Sequence, residues 1–146
     1  NNIPSYAKIT FPDLLTLKEL YPFIKVIQAK LEINPTPGTY TYPNQLPETL
    51  TMYVSNSNDN FDNILLNAAG TPQTGSLSVD YLYGQNTNYT FDITNYVNTV
   101  ISEGRFSTKS RGRGANSSLD YNETSTLIFN DFNRGGIKLK LYVLGL

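Results

Sequence analysis

The class of fold is decided by residues 23–33, which read FIKVIQAKLEI. Apolar side chains stand at every second position in most of this stretch, namely at Ile27, Ala29, Leu31 and Ile33. A period of two is typical of a β-strand that buries one face and exposes the other to water. The same alternation over residues 50–54 and 137–144 predicts two more strands.

Working outward, strand-favouring residues bounded by turn signals occur in residues 6–11, 61–66, 77–83, 88–93 and 124–129. Helical spacing appears over residues 13–20, which Asp13 can cap, and again near residue 94, where Asp92 or Thr94 can cap. Residues 107–118 contain no hydrophobic run and predict a flexible loop. The chain, residues 1–146, is therefore predicted to be a single all-β domain. We expect a β-sandwich of jelly-roll type, with about eight antiparallel strands and two short helices.

The composition removes several kinds of chemistry. The chain contains no cysteine, histidine or tryptophan, which excludes disulfides, thiol nucleophiles, Ser-His-Asp triads and His-ligated zinc. Carboxylate chemistry remains, because a glycosidase needs only two acids about 5–9 Å apart. The pairs Asp59 with Asp62 and Asp120 with Glu123 are close only in sequence. We expect no enzymatic activity, and a carboxylate hydrolase is the less favoured alternative.

The polar composition suggests a cellular location. Asn, Thr and Ser number 17, 16 and 11, and charged residues make up only 16%, with a net charge of −1. A charge-poor, Asn/Thr/Tyr-rich surface is typical of exported bacterial β-proteins. The chain begins with Asn1 rather than Met, and we expect it to be a fragment of a longer exported protein.

Five segments carry a family resemblance: YAKITFP at 6–12, LLTLKEL at 14–20, IQAKLEI at 27–33, FDITNYV at 91–97 and GIKLKLY at 136–142. Their order resembles the C-terminal part of the Bacteroidetes surface-lipoprotein family known as domain of unknown function 4270. The layout is also similar to carbohydrate-binding-module-like jelly rolls of secreted bacterial proteins. The resemblance implies an outer-membrane or cell-surface lipoprotein. Contact with the membrane would then depend only on an N-terminal lipid anchor that these residues do not include.

Tyrosines suggest a binding surface. The candidates are Tyr40, Tyr42, Tyr81 and Tyr83. Strand alternation would place each pair on one side of its segment, where the rings could stack on sugar rings. The alternative is that the rings line the core or cover strand faces. We therefore expect a non-enzymatic surface module that binds a glycan or another component of the cell envelope.

Oxygen-bearing side chains suggest a calcium site in residues 56–63. Asn58, Asp59 and Asp62 are the candidate ligands, since calcium takes six to eight oxygens. The spacing of an EF-hand is absent. Asx turns explain such a run without any ion, so we expect no obligatory cofactor and leave calcium open.

A basic tract lies between residues 105 and 114 and includes Arg105, Lys109, Arg111 and Arg113. Four charges could neutralise phosphates, but only Phe106 is close enough in sequence for stacking. A solvated loop is the simpler interpretation, and we expect no nucleic-acid partner.

The last predicted strand suggests a second function. Residues 137–144 end almost at the C-terminus of the chain. A strand at the edge of a sheet is a template for pairing with another chain. The alternative function is therefore an adhesin or assembly component that uses edge-strand pairing.

Overall fold

The computed structural model describes residues 6–11, 13–41, 45–55, 61–103, 115–118 and 130–145. Within these ranges the chain forms eight strands and two α-helices, and a short 3-10 helix (Phe132–Arg134) precedes the last strand. The elements are β1 (Tyr6–Ile9), α1 (Leu14–Leu20), β2 (Ile24–Ile33), β3 (Thr51–Ser55), β4 (Phe61–Ile64), β5 (Ser76–Ser78), β6 (Asn88–Asp92), α2 (Thr94–Glu103), β7 (Ala115–Ser118) and β8 (Ile137–Gly145). The predicted strand-rich fold with two helices is confirmed.

The strands form two four-stranded sheets, ordered β1-β7-β3-β4 and β5-β6-β2-β8. Every strand pairing within them is antiparallel. A single cluster of buried side chains takes Ile9 and Met52 from the first sheet and Leu31 and Phe91 from the second. Since both sheets contribute to one cluster, burial of that apolar surface stabilises them together.

β2 lies inside its sheet and carries much of the core. Ala29, Leu31 and Ile33 are completely buried, as the alternation predicts. The prediction is wrong at Ile27, which is 57% exposed, while Val26 is only 1% exposed. The pairing of β2 with β8 shifts register between Val26 and Gln28. This β-bulge inserts one residue, so the buried positions change parity on its N-terminal side.

Helix α2 covers the part of β2 that β6 does not reach. The Asn98 side chain bonds both backbone groups of Val26: its Oδ1 accepts the N–H at 3.2 Å, and its Nδ2 donates to the carbonyl at 2.9 Å. Further along, the N–H of Ala29 donates to Thr94 Oγ1 at 2.9 Å, and the carbonyl of Ala29 accepts from the N–H of Ile93 at 2.9 Å. The helix therefore satisfies backbone groups that would otherwise need another strand.

The helix caps differ from expectation in one case. Asp13 occupies the N-cap position of α1, but its side chain makes no capping hydrogen bond. At α2 the Asp92 carboxylate accepts the N–H of Thr94 at 3.0 Å and also the hydroxyl hydrogen of Thr94, whose Oγ1 in turn accepts the N–H of Ala29 in β2. The apolar stripe of this helix is buried, and it consists of Val97, Val100 and Ile101.

One strand lies where the sequence predicts a loop. β7 falls within residues 107–118 and pairs with both β1 and β3. Its sequence, Ala-Asn-Ser-Ser, has no apolar alternation, so its place in the sheet comes from backbone pairing on both sides. The strand predicted over residues 124–129 lies outside the described residues.

Candidate functional site

The strand predicted over residues 77–83 ends early. β5 stops at Ser78, and residues 80–86 form a turn, which we call the tyrosine loop. The sequence alternates in a way typical of a strand, with apolar or aromatic residues at Leu77, Val79, Tyr81 and Tyr83. The structure instead has a turn here, which Asp80 stabilises. Asp side chains bond nearby backbone N–H groups and so compete with strand pairing.

The Asp80 carboxylate lies at the centre of the loop. Its Oδ1 accepts hydrogen bonds from the N–H groups of Leu82 at 3.1 Å and Tyr83 at 3.0 Å. Its Oδ2 accepts from the N–H groups of Gln85 at 3.4 Å and Asn86 at 3.3 Å. These bonds, that from Tyr83 foremost, lower the pKa of Asp80 and outweigh the opposing effect of desolvation. The carboxylate is thus engaged by the loop that carries it.

Two further hydrogen bonds, from the N–H of Asp80 and to the carbonyl of Gly84, fix the base of the loop. The N–H of Asp80 donates to Thr87 Oγ1 at 3.0 Å, and Thr87 is only 2% exposed. Gly84 has a φ of +62°, a left-handed conformation that favours glycine. Its carbonyl accepts a hydrogen bond from the Tyr40 hydroxyl at 2.8 Å. Contacts distant in sequence therefore fix the loop on the body of the protein.

The loop presents large apolar side chains to solvent. Tyr81 is 92% exposed, Leu82 is 86% exposed and Tyr83 is 77% exposed. Three consecutive exposed side chains of this size are unusual on a loop so extensively hydrogen-bonded, because burial would normally be favourable for each of them. Such groups mark a candidate interaction site.

The structure brings together three of the four candidate tyrosines. Tyr81 and Tyr83 lie on the loop, and Tyr40 braces it through its hydroxyl. The strand geometry used to place Tyr81 and Tyr83 on one side is wrong, since neither lies in a strand. Tyr42 lies outside the described residues.

The other candidate sites fall largely beyond what the structure describes. Asn58 and Asp59 lie outside the described residues, and Asp62 belongs to β4 with its side chain not described. In the described part of the chain, no three acidic side chains come together as a metal site. The basic tract, with Arg105, Lys109, Arg111 and Arg113, also lies outside the described residues.

Three clefts in the described part of the chain each contain at most one carboxylate. A cleft of about 330 Å³ between α2 and the β3–β4 pair includes Glu103, and a second cleft beside α2 includes none. An apolar groove of about 580 Å³ runs between α1 and β8 and includes Asp13. None of the three provides the two facing acids that a carboxylate hydrolase needs.

Asp80 is the residue that sequence reasoning missed. Asp80, Gly84 and Asn86 are turn-favouring residues close together, and this is the signal that could have revealed the turn. The alternating aromatic residues on either side masked that signal.

Comparisons with protein-family models, with curated proteins and with solved structures return no match. The resemblance to the surface-lipoprotein family therefore stays a prediction. Among the described helices, none has the length and hydropathy of a membrane span. Function is accordingly inferred from the chemistry of the site.

Proposed function

We propose that the protein is a non-enzymatic binding module that takes a glycan on its tyrosine loop. In this proposal the two sheets face each other as a β-sandwich with jelly-roll connections, which the shared core cluster supports. The family resemblance and the charge-poor composition support an exported outer-membrane or cell-surface lipoprotein as the setting.

The exposure of Tyr81 and Tyr83 on a fixed loop is the single observation that carries the proposal. Tyrosine offers a large, flat and stiff surface at low entropic cost, which suits stacking against the C–H-rich face of a sugar ring. Because Asp80, Tyr40 and Thr87 already hold the backbone, little further ordering is needed when a ligand binds.

The polar groups of the loop favour an uncharged ligand. Gln85 and Asn86 are exposed in the same loop; the Asn86 amide nitrogen donates to Asp80 Oδ2 at 3.4 Å, and the other amide groups can exchange hydrogen bonds with hydroxyl groups. The only charge in the loop belongs to Asp80, whose oxygens are occupied by backbone N–H groups. A neutral saccharide therefore matches the loop better than an acidic or basic one.

The test is binding of the full chain to a panel of neutral and acidic polysaccharides, followed by calorimetry on any ligand found. Tyr81→Ala and Tyr83→Ala should each weaken binding about tenfold, which corresponds to about 1.4 kcal/mol. Tyr21→Ala is the matched control, because Tyr21 is 49% exposed but lies outside the loop.

Three results would contradict the proposal. The first is the absence of saccharide binding across the panel. The second is binding that Tyr81→Ala and Tyr83→Ala leave unchanged. The third is association with neutral phospholipid vesicles that both substitutions abolish without any saccharide binding, which would assign the loop to a lipid surface.

A further inference from the structure

The two longest strands, β2 and β8, carry a group of lysines on the outer face of their sheet. Val26, Ala29 and Leu31 of β2 are buried, and so is Ile137 of β8. Successive side chains of a strand point to opposite faces, so the residues next to these buried positions point outward. We call this outer surface the lysine face, and its charged and aromatic side chains are Lys25, Lys30, Glu32, Lys138, Lys140 and Tyr142.

The strand register brings three of the lysines close together. Lys30 lies directly opposite Lys140, and Lys138 follows two residues before Lys140 on the same face. Opposite residues are about 5 Å apart between Cβ atoms, and alternate residues of one strand are about 7 Å apart. Like charges directly opposite each other are unfavourable. The three lysines therefore form a compact cationic cluster that an anion would stabilise.

Glu32 neutralises only one member of this cluster. It lies directly opposite Lys138, but its carboxylate forms an ion pair with Lys140 at 2.7 Å. Among the described residues, no ion pair is formed by the other lysines of the face, which are Lys25, Lys30 and Lys138.

The second carboxylate on this side of the sheet is also engaged. Asp92 of β6 lies opposite Lys30, but its Oδ1 accepts both the N–H and the hydroxyl hydrogen of Thr94. Four lysines therefore stand against two carboxylates on one face of a chain whose net charge is −1. This excess of positive charge complements an acidic ligand.

Aromatic and hydroxyl groups adjoin the cationic cluster. Tyr142 is 57% exposed and lies two residues after Lys140 on the same face. On the other side of β2, Thr90 lies opposite Glu32 and pairs in turn with the exposed Ser76 of β5. A tyrosine ring can stack on a sugar ring, and side-chain hydroxyls can exchange hydrogen bonds with sugar hydroxyls. Cations, an aromatic ring and hydroxyl groups thus share one sheet face.

From this arrangement we infer that the lysine face binds an acidic polysaccharide, with one sugar ring on Tyr142 and acidic groups on the neighbouring lysines. Lys140 precedes the ring along the face, and Lys25, which pairs with Leu144, follows it. A polymer stacked on the ring would therefore meet cations in both directions along the strands. The ligand class is a sugar polymer that carries carboxylate or sulfate groups, in contrast to the neutral saccharide proposed for the tyrosine loop.

A lipid surface fits this face less well. Side chains that enter a bilayer interface form a continuous apolar face, with the charged groups on the opposite or flanking side. Here Lys30, Lys140 and Glu32 occupy the middle of the sheet, whereas the exposed Leu144 lies at the end of β8. Charge and hydroxyl groups, rather than apolar groups, would make the first contact.

The first experiment measures binding of the full chain to polymers that differ only in charge. Polygalacturonate is compared with its methyl-esterified form, and dextran sulfate with dextran, by calorimetry at several salt concentrations. At least one acidic polymer should bind tenfold or more tightly than its neutral counterpart, and its affinity should fall as salt is added, because counterions are released on binding. Preference between the two acidic polymers distinguishes carboxylate from sulfate as the recognised group.

The second experiment locates the site by substitution. Lys30→Gln with Lys138→Gln should weaken binding about tenfold or more and make its salt dependence shallower. Lys8→Gln with Lys18→Gln is the matched control, since it removes the same charge from β1 and α1. Tyr142→Ala should weaken binding without changing the salt dependence, because stacking releases no counterion. Thermal unfolding checks that each variant folds, and Lys138→Gln alone, at an exposed position, should give a smaller loss in the same direction.

Several results would overturn the inference. One is the absence of binding to both acidic polymers at low salt, and another is equal binding of the charged and neutral forms. Binding that the lysine double variant leaves unchanged would place the polymer elsewhere, and its loss in Arg111→Gln with Arg113→Gln would assign it to the basic tract. Binding to phosphatidylglycerol vesicles without any polysaccharide binding would assign the face to a lipid surface.

The two binding proposals can fail separately. The tyrosine loop is tested on the neutral polymers, whereas the lysine face is tested on the difference between acidic and neutral forms. Tyr81→Ala and Tyr83→Ala should leave that difference unchanged. The lysine double variant should leave binding of a neutral saccharide unchanged.

Discussion

Tyr81, in the connection from β5 to β6, and Tyr89, in β6 itself, lie only eight residues apart, yet their environments are opposite. Tyr81 is 92% exposed on the tyrosine loop, whereas Tyr89 in β6 is completely buried and donates its hydroxyl hydrogen to the carbonyl of Pro47. Burial raises the pKa of Tyr89 well above its usual range. Residue type alone therefore does not decide which tyrosine is buried in the core and which is exposed to solvent. Backbone pairing decides the first, and the Asp80 turn decides the second.

Truncating one aromatic ring in each region tests whether the buried and the exposed rings contribute differently to stability, and it should give the largest effect. Phe91, two residues after Tyr89, is completely buried, and Phe91→Ala should lower the free energy of unfolding by about 3–5 kcal/mol. Tyr83→Ala on the tyrosine loop should change it by less than about 0.5 kcal/mol. Urea denaturation of both variants measures the difference. Similar losses would mean that the loop belongs to the core.

A smaller loss of stability is expected from a substitution at Gly75, which precedes β5 and lies against the ring of Phe91. A Cβ added at Gly75 would lie 2.5 Å from that ring, so Gly75→Ala should cost about 1–3 kcal/mol through overpacking. The control is Gly145→Ala, whose Cβ would meet the ring of Tyr21 at an ordinary 3.5 Å. Thermal unfolding of the two variants distinguishes them. Equal melting temperatures would contradict the close packing around Phe91.

The hydroxyl groups of the two tyrosine environments provide a finer test. Tyr89→Phe removes the bond to Pro47, which is itself buried, and should cost about 1 kcal/mol. Tyr83→Phe removes a hydroxyl from a side chain that is 77% exposed and should leave stability unchanged. Denaturation curves compare the two. An equal cost would show that the loop hydroxyl is also engaged.

The smallest expected effect is a local response of the loop to acid. Because backbone N–H groups lower the pKa of Asp80 below its ordinary value of 3.8, the carboxylate stabilises the loop above that value. This contribution should disappear as the pH falls through the lowered pKa. The amide resonances of Leu82 and Tyr83 should then shift in NMR spectra, while those of Phe91 should not. Asp80→Asn should remove the acid step, and its persistence would contradict the assignment.

The buried core of β2 could be predicted from the sequence, because a strand with one buried face shows apolar residues at every second position. Ala29, Leu31 and Ile33 follow the alternation that first indicated the fold, and all three are buried. The bulge that exposes Ile27 could not be predicted, since an inserted residue changes the pairing with β8 without changing the type of residue. β7 could not be predicted either, for a different reason. Its residues show no apolar alternation, and backbone pairing with β1 and β3 leaves no pattern in the sequence.

The candidate site could be predicted only in part. Aromatic composition pointed to Tyr40, Tyr81 and Tyr83; the structure places Tyr81 and Tyr83 on one loop, and Tyr40 bonds that loop at Gly84. Their roles could not be predicted, because they depend on a hydrogen bond between Tyr40 and Gly84 that spans distant parts of the chain. The function of Asp80 is local and could have been predicted from turn chemistry.

The amide of Asn98 has a consequence for how the chain avoids aggregation. By bonding both backbone groups of Val26, it lets helix α2 satisfy groups that would otherwise be open to pairing with another chain. Loss of this amide would leave the backbone N–H and carbonyl of Val26 without these two hydrogen bonds and open to pairing with another chain.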